Sequence, residues 1–216
     1  MLRNHEFILL TDSRRHSWSV VRFELRRLFL KWRIQMHSTI QTYFANLNNE
    51  DKQVQYEAFM QLLAATEVEV DWAYEVWDEL VAGLTSSDNH TRSRYAQLLA
   101  GLAISDPEKR ILTDFSKLWQ VTKDPKTVTA RHSLQAIWKV GLAGEEQKAL
   151  VMNHFMERFT MCEGEKNYTL VRFDIIQAMR NLYEHVQDEM IKEKALELIN
   201  QEDDVKYQRK YAKVWK

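Results

Sequence analysis

Apolar residues recur along this chain at three- and four-residue intervals, and the pattern comes in pairs. Between Asp88 and Asp124, Tyr95, Ala96, Leu98, Leu99, Leu102 and Ala103 form one helical set. Ile111, Leu112, Phe115, Leu118 and Trp119 form a second, an i, i+3/i+4, i+7/i+8 stripe that predicts an amphipathic helix. A Ser105-Asp106-Pro107 turn joins the two. The same hairpin recurs before and after, and a glutamine marks it: Gln61, Gln97, Gln135 and Gln177 follow one another at 36, 38 and 42 residues. A repeat of this length with two helices per unit predicts an all-α chain, an α-solenoid of about four hairpins. One hairpin cannot bury its apolar face alone, so neighbours stack and share a core.

The expected boundaries follow in order. Residues 48–87 form the first hairpin, with Val54, Tyr56, Ala58, Phe59, Leu62 and Leu63 around its first helix. Asp71 is the expected N-cap of its second helix, which turns Ala73, Val76, Trp77, Leu80, Val81 and Leu84 to the core. Residues 88–124, 125–167 and 168–204 form the next three. Asp106-Pro107 and Asp124-Pro125 read as helix starts, an N-cap with proline at the first helical position. Val128, Leu134, Ile137, Trp138 and Val140 make the third first helix, which Gly141 and Gly144 are expected to end. Residues 36–47 read as an N-terminal cap helix, with Ser38 opening it and Ile40, Tyr43, Phe44 and Leu47 on its stripe. Residues 205–216 read as a C-terminal cap.

Charge changes this picture at both ends. Residues 1–35 carry eight Lys/Arg and three Asp/Glu, and 205–216 carry five Lys/Arg and no acid. Taking these from the totals of 30 and 31 leaves 17 basic and 28 acidic residues over 36–204, a net of −11. An acidic repeat body argues against a phosphate-binding groove along it. The basic residues of 1–35 interleave with Trp18, Val21, Leu25, Leu28 and Trp32 at helical spacing. This extension reads as a basic amphipathic helix or as a dispensable lead, with Met36 an alternative start.

Composition narrows the class further. Five Gly and two Pro are few and favour helices over a turn-rich β fold. The single Cys162 excludes an internal disulfide and fits a reducing compartment, so a cytoplasmic location is expected. No apolar run approaches the roughly 18 residues of a membrane span.

At this point the chain resembles the HEAT-repeat superfamily over about residues 48–204. The resemblance is carried by Asp88-Asn89-His90-Thr91-Arg92, a looser counterpart ending at Arg131, and Val171-Arg172. It implies a right-handed superhelix with a structural ladder between units, in which Arg92, Arg131 and Arg172 pair with acids such as Asp88 and Asp124. The first hairpin departs from the pattern, with Tyr56 near the corresponding place. Such a fold specifies architecture and not activity.

Candidate chemistry is sparse. The seven histidines show no H-E-x-x-H and no pairing with cysteine at ligand spacing, so no metal and no cofactor are expected. Cys162 falls in a polar loop, Cys162–Asn167, without a neighbouring histidine. No Gly-rich phosphate loop or nucleophile elbow occurs. Trp77, Trp119 and Trp138 sit on core stripes. Trp72 and Tyr74 flank one, and with Glu75 and Glu79 one turn away they form a candidate acidic–aromatic patch for a basic peptide, against the plainer reading of a solvated helix face. The expectation is a non-enzymatic adaptor that binds a protein segment, not nucleic acid. The alternative is a HEAT-like DNA glycosylase or other nucleic-acid-acting enzyme, for which Asp114 and Arg131 supply residue types without a local motif.

Overall fold

The computed structural model describes residues 38–216, so expectations for residues 1–35 and for Met36 lie outside it. The described residues are helical throughout, with no strand among them. The chain divides into two compact units after Ala58.

In the first unit, α1 (38–46) buries Ile40 and Phe44, with Leu47 buried just past its end. Ser38 is already helical, so it does not cap this helix from outside. Asp51 caps the next helix, α2 (Lys52–Ala65), by accepting the Gln53 N–H at 2.8 Å. Tyr56 is 56 % exposed and so is not the core residue its spacing suggests.

The second unit holds the rest of α2 and then α3 (Ala73–Gly83), α4 (Asn89–Leu102), α5 (Arg110–Val121), α6 (Thr127–Ala136), α7 (Glu145–Met161), α8 (Tyr168–Val186), α9 (Glu189–Asn200) and α10 (Val205–Ala212). Short 3-10 segments follow α4, α6 and α10, at Ala103–Ser105, Ile137–Ala143 and Lys213–Trp215. α4 packs on α3, α5 and α6; α6 packs on α8; α8 packs on α7, α9 and α10.

Burial explains who packs where. α4 buries Ser93, Tyr95, Ala96, Leu98, Leu99, Ala100, Gly101 and Leu102, nearly its whole girth, because helices meet it on several sides. α5 buries only the stripe Ile111, Phe115, Leu118, Trp119 and Val121 and leaves its other face to solvent. α8 and α9 repeat the contrast. At Gly101 a Cβ would fall 2.3 Å from Thr66 Oγ1, so only glycine lets these two segments approach so closely.

Several local expectations are corrected. The cap position of α3 is Trp72, not Asp71. Neither proline is the first helical residue: Pro107 lies in a turn before the cap residue Lys109, and Pro125 immediately precedes the cap residue Lys126. The aspartates still serve the helix starts from further back. Asp106 accepts the Ile111 N–H at 2.7 Å, and Asp124 accepts that of Lys126 at 2.8 Å. Gly141 does not end a helix but lies buried in the 3-10 segment, while Gly144, at φ 149°, is the cap of α7. Val128 and Met190, placed on core stripes by spacing, are 65 % and 56 % exposed, since each stands in the first turn of its helix, where no neighbour covers it.

Candidate interaction surface

Three arginines, on α4, α6 and α8, reach forward to an acid supplied later in the chain. Arg92 on α4 donates from Nε and Nη2 to the two oxygens of Asp124, at 2.6 and 3.0 Å. Arg131 on α6 does the same to Asp174 on α8, at 2.7 and 2.9 Å. Arg172 on α8 donates to Glu202 at 2.9 Å and, from Nε, to the Phe159 carbonyl at 3.0 Å. In all three the carboxylate is the more deeply buried partner, with side chains 3 %, 2 % and 3 % exposed. The first two pairs are bidentate, a fit of planar guanidinium to planar carboxylate that lysine cannot make. Burial works to raise the Asp124 pKa, but the hydrogen bonds from Arg92 and Lys126 outweigh it and hold the carboxyl below the usual range.

Asp88 pairs with no arginine in this set. It is the N-cap of α4 and accepts from the His90 and Thr91 N–H groups and the Thr91 hydroxyl. Asp124 serves Arg92, 32 residues earlier, and not Arg131. Asp174 and Glu202 are the acids that the sequence reading missed. Asp174 had a signal: it sits beside Ile175 and Ile176 in a buried run, where a carboxylate requires a partner.

The same three helices each carry one glutamine of the sequence row. Gln97, Gln135 and Gln177 lie on α4, α6 and α8, and each spends its amide N–H inside the molecule. Gln97 donates to Ser93, Gln135 to Asp174 at 2.9 Å and Gln177 to the Asn181 side chain at 2.9 Å. None of the three is buried, and none of their amide oxygens has a donor among the described residues. Gln61, on α2, is exposed. The basic residues around the row are committed: Arg131 to Asp174, Lys139 to Glu67 and Arg180 to Glu184. Arg94 stands 6.0 Å from the Phe59 ring centre. The row therefore offers acceptors, with Arg131, Lys139 and Arg180 already paired to carboxylates.

The patch expected at Trp72, Glu75 and Glu79 does not assemble. Trp72 is 3 % exposed, because an indole at a helix start gains more by covering the core than by facing water. Glu79 is exposed but accepts from the Tyr95 hydroxyl at 2.9 Å, and Glu75 is exposed. Tyr74 is bound too: its hydroxyl donates to Asp106 and accepts the Glu108 N–H. Burial, and then Asp106, push its pKa up to about 12.

Cys162 is fully buried rather than loop-exposed, and burial pushes its thiol pKa up, which disfavours the nucleophilic thiolate. Asp114 accepts from the Trp77 indole at 3.1 Å and from Lys117, so it and Arg131 have separate partners. Among the described residues no three His, Cys, Asp or Glu side chains gather as a metal site, and no helix is long and apolar enough to cross a membrane. Comparison with models of known protein families and with curated proteins finds no match.

Proposed function

We propose that the chain is a non-enzymatic binding protein, its hairpins stacked as a HEAT-like α-solenoid, that takes an extended protein segment along α4, α6 and α8. The carrying observation is the row of amide oxygens of Gln97, Gln135 and Gln177, which lack donors on helices that pack one on the next. Adjacent packed helices stand about 8–10 Å apart. Acceptors at that interval suit the N–H groups and the Lys or Arg side chains of an extended chain. The net charge of −11 over 36–204 favours a basic segment. The same neutralised cations weigh against a phosphate groove here, and so against the glycosylase alternative.

The test is fluorescence anisotropy on the full chain with a panel of extended Lys/Arg-containing peptides and a matched acidic panel. Basic peptides should bind preferentially. The triple variant Q97A/Q135A/Q177A should weaken them by about tenfold at the least and up to roughly 2,000-fold, as the loss of three hydrogen bonds of ~0.5–1.5 kcal/mol implies. Equal binding of both panels, or a triple variant that binds like the wild type, would sink this reading.

A further inference from the structure

From 59 to 204 most cations are paired with acids. Of the sixteen Lys and Arg in that span, twelve stand within 4.0 Å of a carboxylate. The last segment reverses this. Lys206, Arg209, Lys210, Lys213 and Lys216 are all exposed, and none has a carboxylate partner among the described residues.

Their placement is not random. At 3.6 residues per turn, Lys206, Arg209 and Lys210 on α10 and Lys213, which opens the 3-10 segment after it, fall within about 100° of arc and spread over about 10 Å of the axis. The opposite side is packed. Tyr211 is fully buried and donates its hydroxyl to the Thr169 carbonyl at 2.9 Å, with Phe159 and Phe173 around its ring. Trp215 stands 5.4 Å from Tyr183. Two of the lysines are steadied from beneath: Lys210 lies 4.6 Å from the Phe173 centroid and Lys206 lies 5.5 Å from that of Tyr207. α10 is thus anchored by its aromatic side, with a row of unneutralised cations outward.

The chemistry of the row selects its occupant. Four of the five cations are lysines, which read charge and not the planar geometry of a carboxylate. Within 205–216 the one large apolar residue that is exposed is Val205, at 54 %, too little to enter a bilayer or to anchor a protein interface. The rings nearest the row lie under its own lysines, which leaves phosphate contact in place of base stacking. We infer that the outer face of α10 is a docking strip for a nucleic-acid backbone, held through its phosphates without regard to base sequence. The strip itself can engage five phosphates at most, one for each of its cations.

That limit gives the test a number. An oligothymidylate is titrated with the full chain by anisotropy between about 50 and 200 mM salt, where each single-strand phosphate contact contributes about 0.7 to the slope of log affinity on log salt. The variant R209Q/K213Q/K216Q touches none of the aromatic rings and should melt like the wild type. Its slope should fall by about 2 and its low-salt affinity by tenfold or more. Replacing all five with Gln should remove about 3.5 from the slope. Wild-type slope and affinity in either variant would overturn the strip. So would retention on phosphatidylserine vesicles that the oligonucleotide fails to displace, or equal competition by polyglutamate of matched charge. Peptide binding at the glutamine row should survive both variants, which separates failure of the strip from failure of the binding face.

Discussion

Each ion-pair link joins a deeply buried carboxylate to a guanidinium nearer the surface, so the two partners are not equivalent on deletion. Arg131→Ala leaves Asp174, 2 % exposed, with only the Gln135 amide beside it. Breaking a buried pair in this way costs about 3–5 kcal/mol, and because Arg131 itself is 33 % exposed the lower end is expected. Lys194→Ala, at the exposed pair with Glu197, should cost no more than about 1 kcal/mol. Urea midpoints in the reverse order would show that the link is not structural. Asp124 adds a pH signature. Its carboxyl pKa is lower in the fold than in the unfolded chain, so its stabilisation is present above about pH 4 and is lost as pH falls through the depressed folded value. The penalty of Arg92→Gln should therefore shrink as acid is added. A penalty unchanged from pH 7 down to about 2.5 would contradict this assignment.

Among the elements, α5 gives the plainest comparison. Phe115, 2 % exposed, lies 6.0 Å from Trp119 and 4.9 Å edge-on from His154. Phe115→Ala should destabilise by about 3–5 kcal/mol. Asp106→Ala loses more than a simple cap, because Asp106 is buried and also receives the Tyr74 hydroxyl; about 1–3 kcal/mol is expected. Tyr74 reports on the same contact. With a pKa raised to about 12, its contribution holds below the ordinary tyrosine value and fades as pH rises from about 10 toward 12. Asp106→Asn should bring its ultraviolet phenolate transition to lower pH, read as the difference between Tyr74-containing and Y74F proteins.

The helices themselves were legible in the sequence because 3.6-residue periodicity is a property of one segment at a time. The stripe of α5 and the near-continuous apolar set of α4 needed no partner to be recognised. The ends were not legible. An Asp-Pro pair predicts a helix start, but whether proline enters the first turn depends on where the preceding segment delivers the chain. Trp72 shows the same limit at a candidate site: its spacing placed it at the edge of a stripe, and only tertiary packing decided that it faced inward. Arg92 and Asp124 were both singled out in the sequence, while Asp174 and Glu202 were not, since which acid faces an arginine 43 or 30 residues away is fixed by packing alone.

On the scale of the whole molecule, net charge misleads because it averages unlike surfaces. The body carries −11 yet holds most of its cations in internal pairs, and the last segment, 205–216, carries five that pair with no carboxylate among the described residues. One consequence of the links concerns synthesis. In every case the arginine precedes its acid, by 32, 43 and 30 residues. Translated at about 5–20 residues per second, each guanidinium waits roughly 2–9 s for its counter-ion to be made. An arginine tolerates that wait in water, whereas a carboxylate bound for the interior arrives to find its partner in place. The chain is thus ordered so that the group with most to lose from burial is never buried first. Pulling-force profiles of stalled nascent chains should show compaction steps as Asp124, Asp174 and Glu202 each clear the exit tunnel. Arg92→Gln should abolish the first step and spare the last, and a profile without discrete steps would refute this sequential locking.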